Sequence, residues 1–508
     1  MAGDGILACD LGTGGLKLAL YSAEGRQLDQ VFGAYQTVSA HETWAEQDAQ
    51  DWWAVFCTMS RLLIERNGLK AGSIAAISFS GHMMACLPVD RSGNALTNCM
   101  IWADRRSNPQ VEQLQQRINR QEFYRITGNR NYATYPLLKY MWLKQNNPAV
   151  YKRTWKFLQP KDYLVCRLTG VLATDYTDAS GTAALDLAGR SWSAEILELS
   201  GIDSGLLPDI HDSSARIGAV HDAAAHQCGL AAGTPVVIGA GDGPCGNLGA
   251  GVLRQGKAYL YLGTSSWVSV ASPQMLTDAD MVLFNLCSVD PRTIYVYGTM
   301  QMGGGSFQWF KETFAVSEMQ CAELTGENPY NYLTAQAAQS PPGARDLVFL
   351  PYLRGERSPH WNPRARGAFV GLTASHTRAD IIRSVMEGVA CNLKIIRDAI
   401  ASEGAVVSEM RVIGGGAESA LWRQIFADVF GETLHVPVLL EGANTLGAAL
   451  LGGVGVGLFD SLERVEELNP VVSTQRPTAD DATHAVYKRL YGLFNASYRA
   501  LEPVFDQM

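Results

Sequence analysis

The chain has 508 residues, 47% apolar and 18% charged, a globular composition too long for a single core. Two domains of roughly 250 residues each are expected. The net charge of −9 argues against a nucleic-acid or anionic-membrane surface, so neither partner is expected.

In chain order, the apolar run Ile6–Cys9 leads into Asp10-Leu11-Gly12-Thr13-Gly14-Gly15 and a second run, Leu16–Tyr21, which predicts a hairpin. No basic-then-apolar leader is read over Met1–Leu11, and a cytoplasmic location is expected. A third strand around Leu28–Thr37 precedes a helix over Asp48–Asn67, where Trp52, Trp53, Phe56, Met59, Leu62 and Leu63 recur at helical spacing. A strand over Ile74–Ser80 ends in Gly81-His82-Met83-Met84, and another over Pro235–Ala240 ends in Gly241-Asp242-Gly243. The plan then starts again. Ala258–Tyr261 leads into Leu262-Gly263-Thr264-Ser265-Ser266 and Trp267–Ala271, displaced from the first copy by close to half the chain. Strands follow at Ile294–Thr299 and Leu347–Leu350, an amphipathic helix at Asp380–Ser402, and a strand at Met410–Ile413 ending in Gly414-Gly415-Gly416-Ala417. Leu446–Phe459 is apolar but carries Gly447, Gly452, Gly453, Gly455 and Gly457, so it reads as a closely packed helix and turn, not a membrane span. The order describes an α/β fold of two related open sheets, divided as 1–246 and 247–508, with the motifs at the strand ends where such sheets bind ligands.

Glycine with Thr or Ser at a turn lets N–H groups and hydroxyls surround an anion. Gly12, Thr13 and Gly14 in one half, and Gly263, Thr264 and Ser265 in the other, therefore read as paired phosphate loops that grip a nucleotide. Asp10 is either a carboxylate holding Mg²⁺ against a phosphate or a turn residue satisfying local N–H groups. Gly241, Gly243 and Gly246 spell G-x-G-x-x-G, but no Asp or Glu occurs between Asn247 and Thr277 to hold a ribose, and Asp242 would face a pyrophosphate. A general base at Asp242, accepting a hydroxyl proton, is the favoured reading; a structural turn is the alternative. The loop Gly414–Ala417 suits close approach by a flat ligand such as adenosine, or simply a tight turn. Ten scattered cysteines without a Cys-x-x-Cys pair read as reduced, with no structural zinc. Motifs of P-loop enzymes, zinc proteases and α/β-hydrolases are absent.

Together these pieces resemble the FGGY family of carbohydrate kinases. The sharpest match is Gly367-Ala-Phe-Val-Gly371-Leu372, seven residues, Asp380-Ile381, two residues, then Ser384-Val385-Met386-Glu387, which fits the C-terminal family signature throughout. Pro136, Lys139, Tyr140, Trp142, Leu143, Gln145 and Asn146 match the N-terminal signature, with Thr134 as a minor miss at its opening position. Trp44–Asp48, Pro160–Leu164, Asp178–Thr182 and Leu353–His360 are similar to the xylulose kinase branch.

The resemblance implies two duplicated ribonuclease H-like domains of the actin/hexokinase type around an interdomain cleft. It also implies ATP and Mg²⁺ as cofactors and a small sugar or polyol as partner. In its terms Asp242 is the base and Asp10 serves Mg²⁺. Gly12, Thr13, Gly14 and Gly263–Ser265 hold phosphates, and Gly414, Gly415, Gly416, Ala417 and Asn444 lie along the adenosine. Where the branch reads Gly-Gln-Met-His-Gly, this chain reads Gly81-His82-Met83-Met84-Ala85, so the sugar-binding histidine position is Met84. His82, Met83, Met84, Trp102 and Asp104 are the expected substrate contacts, with an Asp104–Arg106 pair closing the loop as the structural alternative. D-xylulose is the leading acceptor, with another ketose, a polyol, or a non-catalytic sugar sensor as alternatives. A homodimer is an open expectation.

Overall fold

The computed structural model describes residues 5–508, so the first four residues of the Met1–Leu11 reading lie outside it. β1 (Gly5–Leu11) and β2 (Gly15–Ser22) form the first hairpin, with Asp10 opposite Lys17. β3 (Gln27–Ala34) pairs with β2, and β4 (Ile74–Gly81) runs parallel to β1. Between them, α1 (Ala49–Arg66) is capped by Asp48, which accepts from Gln50 N–H. α1 buries Trp52, Trp53, Phe56 and Leu63 in one core with Leu18, Ile77 and Phe79. Each such burial is worth ~1.5–3 kcal/mol.

Three later strands complete the sheet: β5 (Arg216–Ala219), β6 (Pro235–Val237) and β7 (Ala240–Gly241). β6 and β7 both run parallel to β4, while β5 pairs antiparallel with β6. The single strand expected over Pro235–Ala240 is thus broken at Ile238-Gly239. Gly239 has φ +76°, and a Cβ there would stand 1.9 Å from the Phe79 carbonyl oxygen. Only glycine passes.

α2 (Asp242–Gly249) leads out of the first sheet and into the second. The second comprises β8 (Lys257–Leu262), β9 (Ser266–Ser272), β10 (Phe284–Cys287), β11 (Ile294–Met300), β12 (Glu409–Ile413), β13 (Leu434–Pro437) and β14 (Val471–Gln475). Its order is β10-β11-β9-β8-β12-β13-β14, against β5-β6-β4-β1-β2-β3 in the first sheet. The β8/β9 hairpin, β12 parallel beside β8, β13 parallel beside β12, and the antiparallel β14 reproduce β1/β2, β4, β6 and β5 in order and sense. The duplication seen in two turn motifs is therefore a duplication of whole sheets. The strand expected at Leu347–Leu350 is outside this sheet: Val348–Leu350 pairs with Ala368–Val370 alone, because β12 already occupies the place beside β8.

α3 (Gly304–Phe314) begins against the turn of the β8/β9 hairpin, Gly304 N–H donating to Gly263 C=O at 2.7 Å. α4 (Arg378–Ser402) starts at a reciprocal cap, Thr377 and Asp380 each accepting from the other's N–H, and buries Val385, Val389, Leu393 and Ile396. α5 (Ala443–Gly455) is the apolar glycine-bearing segment, and it crosses to the first sheet, where Gly452 lies over Ile6 and Ser78. It also crosses α2 at backbone contact: a Cβ on Gly447 would stand 2.2 Å from the Cys245 carbonyl oxygen. Among the described residues, no helix is long and apolar enough to cross a membrane.

Candidate active site

The two hairpins, the end of β7 and the start of α2 and α5 converge between the sheets. Asp10, next to last in β1, accepts from Ser80 Oγ at 2.7 Å and from Asn444 Nδ2 at 3.4 Å, both at Oδ1. Burial raises its pKa, while Ser80, Lys17 and Asn444 pull the other way. Asn444, expected along adenosine, therefore reaches the carboxylate of the opposite half. Asp242 opens α2 and accepts from Gly243 N–H at 2.7 Å. Burial, and then the charge of Asp10, pushes its carboxyl up to about 7. A carboxyl poised there can take a proton near neutrality.

Asp242 is held from behind by residues that the motif reading passed over. The N–H of Gly241 donates to Thr177 Oγ1 at 2.9 Å, and that hydroxyl donates to Asp175 Oδ2 at 2.7 Å. Asp175 Oδ1 lies 2.9 Å from Lys161 Nζ, which also meets Asp162 at 2.6 Å and Asp178 at 3.1 Å, all buried. Lys161, Asp162 and Asp178 lie in the segments that resemble the xylulose kinase branch. Their sequence carried no sign that they brace the loop of Asp242.

Two adjoining cavities lie beside the second hairpin and the Gly414–Ala417 loop. The larger, about 350 Å³, is lined by Gly263, Thr264, Gly416, Phe307, Tyr330 and Trp422. The smaller, about 170 Å³, is lined by Asp10, Lys17, Gly414, Asn444, Tyr261 and Trp267. Gly415 and Glu441 border both. Ala417 is buried beneath the loop and Ser265 is half-buried at the hairpin turn. The first hairpin's turn is braced from two sides: Trp102 Nε1 donates to Thr13 Oγ1 at 2.9 Å, and Gln47 Nε2 to Thr13 C=O at 2.7 Å. Gly12 closes the turn through its N–H to Gly15 C=O, and Gly14 is exposed at its tip.

The expected sugar contacts divide. Met84 is half-buried and borders a small cavity with Phe284, Arg357 and Trp361. It holds φ +62°, uncommon for its side chain, with its carbonyl accepting from Lys139 Nζ at 2.8 Å. Met83 packs under Gly241 and Gly181. His82 does not offer an imidazole to the cleft: it is 1% exposed, edge-on to Trp52, and burial lowers its pKa to about 3. Asp104 is not a hydroxyl acceptor either. It is 0% exposed, with Ala45 N–H at 2.8 Å and Arg106 donating to both oxygens. Arg106 in turn stacks over Trp44 at 3.6 Å and pairs with Glu46 at 2.6 Å. The pair closes the loop.

Duplicated sheets flank a cleft of glycine-rich turns and two carboxylates, and the fold they make is the actin/hexokinase-like fold. The model of the FGGY family of carbohydrate kinases, N-terminal domain, matches residues 5–249, and that of the C-terminal domain matches residues 258–456. The chain belongs to the FGGY family of carbohydrate kinases. It is 31% identical to a gluconokinase of Bacillus subtilis over 505 residues, covering 99% of this chain and 97% of that protein. It is also 31% identical to a xylulose kinase of the same organism over 500 residues, covering 97% and 96%. A ligand-bound xylulose kinase from Lactobacillus acidophilus superposes with a TM-score of 0.91 at 28% identity, covering 99% of each chain.

Proposed function

We propose that the protein transfers the γ-phosphoryl group of ATP to a terminal hydroxyl of a small sugar, with Asp242 as general base. The observation that carries this is the carboxyl of Asp242, raised to about 7 at the start of α2 by burial and by the nearby Asp10 of the first hairpin. Its carboxylate takes the hydroxyl proton as the oxygen attacks phosphorus, and the bond to the ADP oxygen breaks. N–H groups of Thr13, Gly14 and the 263–266 turn, together with Lys17, stabilise charge on the phosphoryl oxygens. Phe307, Tyr330 and Trp422 give the larger cavity apolar walls for a base.

The residues present fit Mg²⁺. Among the described residues, side chains donate only to Oδ1 of Asp10, which leaves Oδ2 for a cation that keeps most of its waters and meets few protein ligands. Bound there, the ion would neutralise charge on the transferred phosphate.

Two acceptors are supported by separate observations. The branch-like motifs favour D-xylulose; equal identity to a gluconokinase favours a sugar acid. ADP release from Mg-ATP across ketoses, polyols and aldonates tests the reading. Asp242→Asn is expected to lower turnover roughly 10²–10⁴-fold with nucleotide binding nearly intact. Normal turnover by that variant would remove Asp242 from the mechanism.

A further inference from the structure

Around the small cavity beside Met84, two hydrogen-bond donors find no acceptor among the described residues. The Arg357 guanidinium lies 5.6 Å from the Trp102 ring centroid and borders the cavity that Met84, Phe284 and Trp361 share. Arg357 Nε and Trp361 Nε1 are both buried without an acceptor among the described residues. The neighbouring carboxyl, Glu356, is already engaged by other donors, Asn392 Nδ2 reaching its Oε2 at 3.3 Å. Glu356 Oε1 accepts from the N–H groups of Gln301 at 2.6 Å and Arg357 at 2.8 Å, and burial pushes the group up to about 8. A second guanidinium, Arg130, stands 5.0 Å from the Trp361 ring and, among the described residues, donates only to the carbonyls of Asp280 and Met281. Two guanidiniums with no ion pair among the described residues thus lie beside Trp102 and Trp361 in a chain of net charge −9.

A buried cation is stable only when paired, and a buried donor only when accepted. The group that satisfies donors alone is one that only accepts. A hydroxyl brings a donor of its own; a carboxylate brings two oxygens and none. The cavity is about 20 Å³, room for an oxygen or two and too little for a phosphate. The loss of a histidine at Met84 fits the same picture, because Met84 gives no polar contact to a sugar hydroxyl there.

We propose that Arg357 receives a carboxylate at the end of the acceptor away from the phosphorylated hydroxyl, with Trp361 Nε1 as second donor. The enzyme then prefers sugar acids to neutral sugars of the same length. This rests on the kinase reading above, and the test separates the two. ADP formation from Mg-ATP is measured with gluconate and a five-carbon aldonate against sorbitol, ribitol and D-xylulose. The aldonates are expected to exceed the matched neutral acceptors at least tenfold in kcat/KM. Arg357→Met is expected to raise the aldonate KM roughly 10²-fold, with a much smaller effect on kcat and on neutral acceptors, and Arg357→Lys to recover part of the loss.

Tryptophan fluorescence during gluconate titration without nucleotide reads binding independently of turnover, through Trp102 and Trp361. Preference for neutral acceptors, or equal losses for charged and neutral acceptors in Arg357→Met, would overturn the carboxylate assignment while leaving the kinase intact. ADP formation from none of the acceptors would remove the kinase reading. In that event, gluconate binding that is lost in Arg357→Met still supports the carboxylate site, and its absence ends it.

Discussion

Asp242 shows how a single residue links site and stability. Its carboxyl is raised to about 7, chiefly by burial and then by Asp10, against about 3.9 in an unfolded chain. The base must be ionised to act, so kcat/KM is expected to fall about tenfold per pH unit below 7 and to level off above it. A flat profile from pH 5 to 8 would mean that no group of this kind limits the reaction. The linkage to stability runs the other way. Because the folded pKa is the higher, the contribution of Asp242 is fully present below about pH 4 and is lost as pH rises through 7. Asp242→Asn is therefore expected to melt above the wild type at pH 8, with that advantage fading towards pH 4. Thermal unfolding of both proteins at the two pH values checks the sign.

Among elements, the α2–α5 crossing joins the halves most closely. Asp242 begins α2 and Asn444 lies in the first turn of α5, so the packing of these two helices sets the Asp10–Asn444–Asp242 grouping. Gly447 permits that packing. Gly447→Val would drive side-chain atoms into the Cys245 carbonyl and is expected to cost about 1–3 kcal/mol, read from urea midpoints. Unchanged midpoints would show that the helices can slide apart at no cost. The glycines of this segment were visible in the sequence as a reason against a membrane span. What they pack against was not, because α2 lies some two hundred residues away in the chain.

For the molecule as a whole, the halves are already stitched along one side. Tyr124 Oη donates to Leu283 C=O at 2.9 Å, and Asn285 and Cys287 of β10 bond to Gly128 and Ser180 of the first half. Ligand-driven closure is then expected to tighten the glycine-rich turns of the two hairpins. Hydrogen exchange is expected to slow together at 12–15, 263–266 and 414–417 when a non-hydrolysable ATP analogue and an acceptor are both bound. Protection by nucleotide alone, equal in all three turns, would count against closure by the acceptor.

The sequence by itself determined the duplication, the strand-end motifs and the α/β class, since turn chemistry and apolar periodicity are local and repeat in both halves. It also marked Asp10 and Asp242, because a carboxylate among glycines is conspicuous wherever the chain goes. Tertiary structure alone decided which polar groups remain free. His82 and Asp104 have the right chemistry, yet burial against Trp52 closes off one and Arg106 saturates the other. Arg357 and Thr177 gain their place only because distant segments bring Trp102 and Gly241 to them. Whether a polar side chain is satisfied depends on every neighbour that folding supplies, and those neighbours range from the nearby Arg106 of Asp104 to the far-off Trp102 of Arg357.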